Sequence, residues 1–199
     1  MKDFDKVVDL LDNASSTLII GSDEQERIRL TGAIVRLVRP LRWRTYVLLY
    51  SSYKQFEKLL NQYENDFYLP EKVRREMIER FQRIAESGVP SAKDLQIVPD
   101  QELILLPTPE DYFESQTEPE EFINIMKNDL SDIARLGKTA NVHLVIGSET
   151  EDFKYQDIIS VQHKIYLSDS AKEKLGIEIQ NGSAVSVDHE GNQLVFTYI

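Results

Sequence analysis

The segment STLIIGSDEQERI, from Ser16 to Ile28, sets out an apolar run, a glycine, a short turn and a helix start, the layout of a loop that cradles phosphate. The chemistry of such a loop, G-x-x-x-x-G-K-[ST], needs small residues whose backbone N–H groups close on the anion, a lysine for charge and a hydroxyl for Mg²⁺. With Gly21 laid on the first glycine, Glu26 stands at the second, Arg27 at the lysine and Ile28 at the hydroxyl. Glu26 adds a Cβ and a negative charge where backbone must approach phosphate, and Ile28 has no atom that ligates a metal. Asp23, Glu24 and Glu26 face any polyphosphate against Arg27 alone. A like-charge pair at ~4 Å costs about 4 kcal/mol at an effective dielectric of ~20 and about 1 in water. The reading is a loop that keeps the shape of a phosphate cradle and has lost its chemistry.

A second position agrees. The apolar run Leu103 to Leu106 should deliver an acidic pair to hold Mg²⁺ and orient water, and delivers Pro107 and Thr108. Glu110 and Asp111 are the nearest acids beyond it. His143, His163 and His189 show no ligand spacing, and the acids around Glu110 and Glu149 form no spaced oxygen-ligand loop, so no metal is expected. There is no G-x-S-x-G and no cysteine. No catalytic residue and no cofactor is expected. Trp43, Tyr46, Tyr50 and Tyr53 form an aromatic-rich segment, by default core or rim packing and otherwise a candidate partner-binding surface.

The 199 residues carry a net charge of −11, which disfavours nonspecific attraction to nucleic acid or anionic lipid. The basic runs Arg36 to Arg44 and Lys72 to Arg75 read as solvated faces. No apolar run approaches the roughly 20 residues of a membrane span, and MKDFDKVVDLLDN is too acidic for a signal peptide. With 41% hydrophobic residues the chain can bury a core, and we expect one domain over 1–199.

The elements that must position these residues alternate. Phe4, Val7, Val8 and Leu11 predict a docking helix within residues 1–13; Thr17 to Ile20 predicts a strand; and Ile28, Thr31, Ile34, Val35 and Val38 predict a helix stopped by Pro40. Thr45 to Tyr50 reads as a strand covered on both faces. A stripe from Phe56 to Tyr63 follows, then a helix from Pro70 with Gly88 as its C-cap, the strand before Pro107, and a polar loop from Glu110 to Glu121. Phe122, Ile125, Met126, Leu130, Ile133 and Leu136 mark a long helix ahead of a strand at Val142 to Ile146. Ile165 to Leu167 and a hairpin within 184–199 close the chain. The expected fold is three-layer α/β/α, a mostly parallel sheet with an antiparallel C-terminal hairpin.

This order and several strings resemble the FtsK/SpoIIIE-type P-loop (RecA-like) motor domains, most of all the C-terminal ATPase-like domain of the type VII secretion motor family (EssC/EccC/YukBA). The strings are SSTLIIGSDEQERI at the Walker A position; the helix ending Glu86-Ser87-Gly88; Ala134-Arg135-Leu136-Gly137 followed by HLVI, similar to the family's ARxxGIHLVLAT; and Gln180 to Val185 before the hairpin. Pro107 and Thr108 then fall on a degenerate Walker B. The resemblance implies a non-catalytic domain, part of a membrane-anchored parent at the cytoplasmic face. It would recognise secreted substrates of the WXG helical-hairpin type or regulate neighbouring ATPase modules. The isolated domain is expected as a monomer and the parent as a ring, with no nucleic acid and no direct membrane contact. The alternatives are an active or weakly active FtsK-type DNA-translocating ATPase and an unrelated α/β adaptor.

Overall fold

Three short apolar runs, none alternating with polar residues, form the middle of a sheet because both of their faces are covered. They are β1 (Ser16–Ile20), β3 (Glu102–Leu106) and β4 (Val142–Ser148), every residue of which is buried in the computed structural model, which describes residues 3–48, 69–114 and 117–198. β2 (Arg44–Val47), β5 (His163–Leu167), β6 (Ser183–Val187) and β7 (Gln193–Thr197) complete a seven-stranded sheet of order β2-β3-β4-β1-β5-β6-β7. The first five strands run parallel, with Leu18 level with Ile146 and Ile104 with Leu144, and β6 and β7 are antiparallel.

Alternate side chains of each strand meet different helices. Leu18, Ile20, Ile104, Leu106, Leu144 and Ile146 face one layer. It holds α3 (Leu69–Ser87) and α5 (Glu120–Leu136), which bring Val73, Met77, Met126, Leu130 and Ile133. Ile19, Leu103, Leu105, Val145 and Ile165 face the other, where α1 (Lys6–Asp12) and α2 (Glu24–Val38) bring Val7, Leu11, Leu30, Ile34 and Val38. The layered α/β/α architecture and the C-terminal hairpin are as expected, and Gly88 ends α3 at φ +66.

Four expectations are corrected. Among the described residues β2 is the outer strand, partnered only by β3, so Arg44 is exposed and Thr45 and Tyr46 half-buried; an apolar run does not reveal on which side a strand lacks a neighbour. The polar loop after Pro107 contains α4 (Pro109–Glu114), whose Tyr112 and Phe113 are buried. α6 (Ser168–Leu175) was not expected, since its only buried residues are Ser170 and Ala171, too few for a visible stripe. The stripe of α5 divides: Met126, Leu130 and Ile133 are buried, while Phe122, Ile125 and Leu136 are 42%, 40% and 37% exposed. The stripe from Phe56 to Tyr63 lies outside the described residues.

Candidate functional site

β1 delivers the chain to α2 through only three residues, Gly21 to Asp23. The phosphate-loop template spans six positions from its first glycine to its second, yet Glu24, Gln25 and Glu26 already form the first helical turn. The loop therefore has neither the width nor the shape of a cradle, a correction to the sequence expectation. Several N–H groups here are already engaged within the chain, Gly21 N by the Ser148 carbonyl at 3.1 Å and others by side chains. Asp23, extended at φ −80 and ψ 105, caps α2 by accepting from Gln25 N (2.8 Å) and Glu26 N (3.2 Å). Asp169, on the first turn of α6, accepts from Ser22 N (2.8 Å) and from the Ser22 hydroxyl. Gly21 serves packing: a Cβ there would lie 2.6 Å from Leu167 Cδ1.

The three template positions turn inward. Glu26 is 7% exposed and accepts from Gly182 N at 3.2 Å, with Ser168 Oγ 3.5 Å away, tying α2 to the entry of the β6–β7 hairpin. Arg27 is 5% exposed and its guanidinium donates to the Gly21 carbonyl, bracing the turn from beneath. Burial pulls its pKa down, against the opposing pull of Glu149, Glu24, Glu110 and Asp23. Ile28 belongs to the core under α2. Asp23→Ala is expected to cost about 1 kcal/mol, the usual worth of a helix cap, and leave the urea m-value unchanged; urea unfolding of the two proteins checks it.

Pro107 and Thr108 follow β3 and hand the chain to α4, whose Tyr112 N donates to Thr108 O at 3.1 Å. Pro107 is held against β4 by Gly147, where a Cβ would overlap the Pro107 carbonyl. Glu110 and Asp111 sit on the first turn of α4 and share a cleft of about 450 Å³ with Glu24, Arg27, Thr108 and Glu149, at the carboxyl ends of the parallel strands where open α/β sheets bind ligands. The fold thus brings together the sequence-singled Arg27, Thr108 and Glu110. Carboxylates dominate this cleft, and its one lysine, Lys154, is paired with Glu114 at 2.7 Å. Glu151 is likewise engaged, accepting from Tyr166 Oη (2.6 Å) and Lys164 Nζ (2.9 Å), which hold its carboxyl below the usual range. Among the described residues no group of three His, Cys, Asp or Glu side chains is arranged to hold a metal ion.

Of the aromatic candidates, the two within the described residues pack against the protein's own core. Trp43 is 6% exposed and stacks on His143, ring centroids 5.2 Å apart, while Tyr46 is half-buried against the core and hydrogen-bonds Arg44. Tyr50 and Tyr53 lie outside the described residues. His143 donates from Nδ1 to Ala14 O at 2.8 Å, and burial lowers its pKa to about 4, so it is a neutral core residue. Sequence reasoning missed Asp169 and Gly182, which reach the loop from well over a hundred residues away. Sequence reasoning also passed over Asp23 as a cap, although an aspartate directly before a helical stripe is the signal that marks one.

No family model matches the chain, and no curated protein does. Solved structures do match. The pCW3 conjugation coupling protein TcpA, in monomer form with ATPγS, superposes with a TM-score of 0.68 at 14% identity over 94% of this chain and 60% of its own. ATPases 2 and 3 of EssC from Geobacillus thermodenitrificans give 0.64 at 14% identity, covering 96% of this chain and 40% of that one. The cytoplasmic domain of the type VII secretion ATPase EccC from Thermomonospora curvata gives 0.56 at 15% identity, covering 92% and 25%. The chain therefore spans at most three-fifths of the length of these proteins, and the likeness is one of fold, that of the P-loop ATPases.

Proposed function

We propose that the chain is a non-hydrolysing module of ATPase fold in a type VII-like secretion motor, acting by holding other proteins rather than by turning over nucleotide. The observation that carries this reading is the filled phosphate position. Asp23 occupies the Gln25 and Glu26 amides in the first turn of α2, Glu26 buries its carboxylate where the second glycine would stand, and Pro107 and Thr108 stand where the acids beyond β3 would be. A triphosphate entering here would displace the cap and meet Glu24, Glu110 and Glu149. Each close carboxylate–phosphate pair would cost about 4 kcal/mol in a half-buried setting, more than Arg27 returns from beneath the turn.

Partners of the module are then proteins: secreted helical hairpins of the WXG type and the adjacent ATPase modules of the motor. An amphipathic helix is recognised through apolar anchors laid in a groove, which requires no nucleotide. The parent would be anchored at the cytoplasmic face of the membrane; among the described residues no helix is long and apolar enough to cross one. The −11 charge weighs against a DNA-translocating role. Calorimetric titration with Mg·ATP is expected to show no binding up to about 1 mM, whereas a dissociation constant in the low micromolar range, about 8 kcal/mol of binding free energy, overturns the reading.

A further inference from the structure

We propose that the basic end of α2 docks on the acidic, apolar start of α5 in a second copy of this chain. The inference stands apart from the nucleotide reading, because neither surface touches the β1–α2 turn. Arg36, Arg39 and Arg42 are exposed and, among the described residues, their side chains have no hydrogen bond or ion pair, in a chain whose acids outnumber its bases 34 to 23. Only Arg36 lies in the last turn of α2, so the helix dipole accounts for one of the three. Between them Leu41 is 52% exposed on a short 3₁₀ turn, and Arg42 projects from a left-handed backbone at φ 61. Arginines around an exposed leucine are the composition of an interface.

The complementary surface is on the same chain. Glu120 and Glu121 open α5, exposed and without an ion pair among the described residues, and Phe122 and Ile125 beside them are 42% and 40% exposed. Acid and apolar groups thus stand in the proportion that Arg39, Arg42 and Leu41 would meet. The two patches cannot meet within one copy. α2 covers the sheet face of Ile19 and Val145, and α5 the opposite face of Leu18 and Ile146. Arg39 to Arg42 precede β2 at the amino edge of the parallel strands, while α5 runs its 17 residues, about 25 Å, down from the carboxyl edge to the start of β4. The contact is therefore head-to-tail and extends from copy to copy.

Two molecules of charge −11 repel at long range, but at physiological ionic strength the screening length is about 8 Å, so the local pairs outlast the overall repulsion. Patches of a few residues imply a dissociation constant of roughly 0.1–1 mM, so the association is expected only well above low micromolar concentration.

Sedimentation equilibrium up to about 1 mM tests this on three proteins: the unaltered chain, Arg39→Glu/Arg42→Glu, and Glu120→Arg/Glu121→Arg. The unaltered chain is expected to associate, and each reversed variant alone to do so at least about ten-fold more weakly. An equimolar mixture of the two variants is expected to recover association, since each reversed patch now meets its opposite, a recovery that misfolded chains would not give. A monomeric unaltered chain at the highest concentration, a variant that associates as before, or a mixture that stays monomeric overturns the proposal.

Discussion

Replacing Arg80 with methionine is expected to cost about 4 kcal/mol of stability near pH 8 and far less near pH 5. Arg80, from α3, has a side chain 7% exposed; it pairs with the fully buried Glu102 at the start of β3 and donates to Ala140 O at 2.8 Å. The nearest remaining cation, Arg44, stands 3.8 Å from Glu102 and shares itself with Glu76 and Asp100. Burial pushes the Glu102 carboxyl up to about 7, against the pull of Arg80 and with further help from Glu76. Without Arg80 the carboxylate is stranded, and protonation is its only relief.

That fixes the sign. The folded state holds a proton on Glu102 between the ordinary value of 4.5 and about 7, and the unfolded chain does not, so stability from this group falls as pH rises through that window. The span is worth about 3 kcal/mol. His143 acts oppositely: its folded pKa near 4 lies below the unfolded 6.5, so its contribution is lost as pH falls between them. The Glu102 contribution is therefore read from the difference between the unaltered chain and Glu102→Gln in urea unfolding across pH. A penalty for Arg80→Met that does not grow with pH would mean that Glu102 is not the charge being compensated.

Gly147→Ala is expected to destabilise the fold by about 3 kcal/mol or more, beyond Gly21→Ala and Gly88→Ala. The added Cβ would fall less than 3.0 Å from the Pro107 carbonyl oxygen, which is backbone and has nowhere to move between β3 and β4. At Gly21 the obstacle is the Leu167 side chain, with Cδ1 at 2.6 Å and Cβ at 2.9 Å, and part of it rotates away. At Gly88 nothing lies within 4 Å, and the cost is the positive φ of +66, about 1 kcal/mol. Denaturation midpoints of the three variants, with unchanged m-values, should rank in that order. The close approach at Gly147 thus fixes where the chain leaves β3 at Pro107.

Much of this fold was legible. Leu103 to Leu106 and Val142 to Ile146 read as buried parallel strands because an unbroken apolar run has no face to give to water, and Pro40 and Gly88 fix helix ends by their own backbone restrictions. α6 was not legible, since an eight-residue helix resting on Ala171 takes its stability from packing rather than from its own stripe. Trp43 was ambiguous because an aromatic in a polar neighbourhood suits core and surface equally, and only the tertiary packing, which stacks it on His143 and seats it in the core under α2, buries it.

The sequence by itself determined which residues of the phosphate-loop template it does not supply: the absence of glycine, lysine and hydroxyl at 26, 27 and 28, and of acids at 107 and 108, is a matter of residue identity. Only the tertiary structure decided what took their place. Glu26 finds Gly182 and Ser22 finds Asp169 across well over a hundred residues, and the turn closes to three residues because the Asp23 cap starts the helix early. Residue types limit which bonds a chain is able to make, but which buried donor meets which acceptor is settled by the sheet order, since β5 must lie beside β1, and the hairpin beside β5, before those partners come within reach.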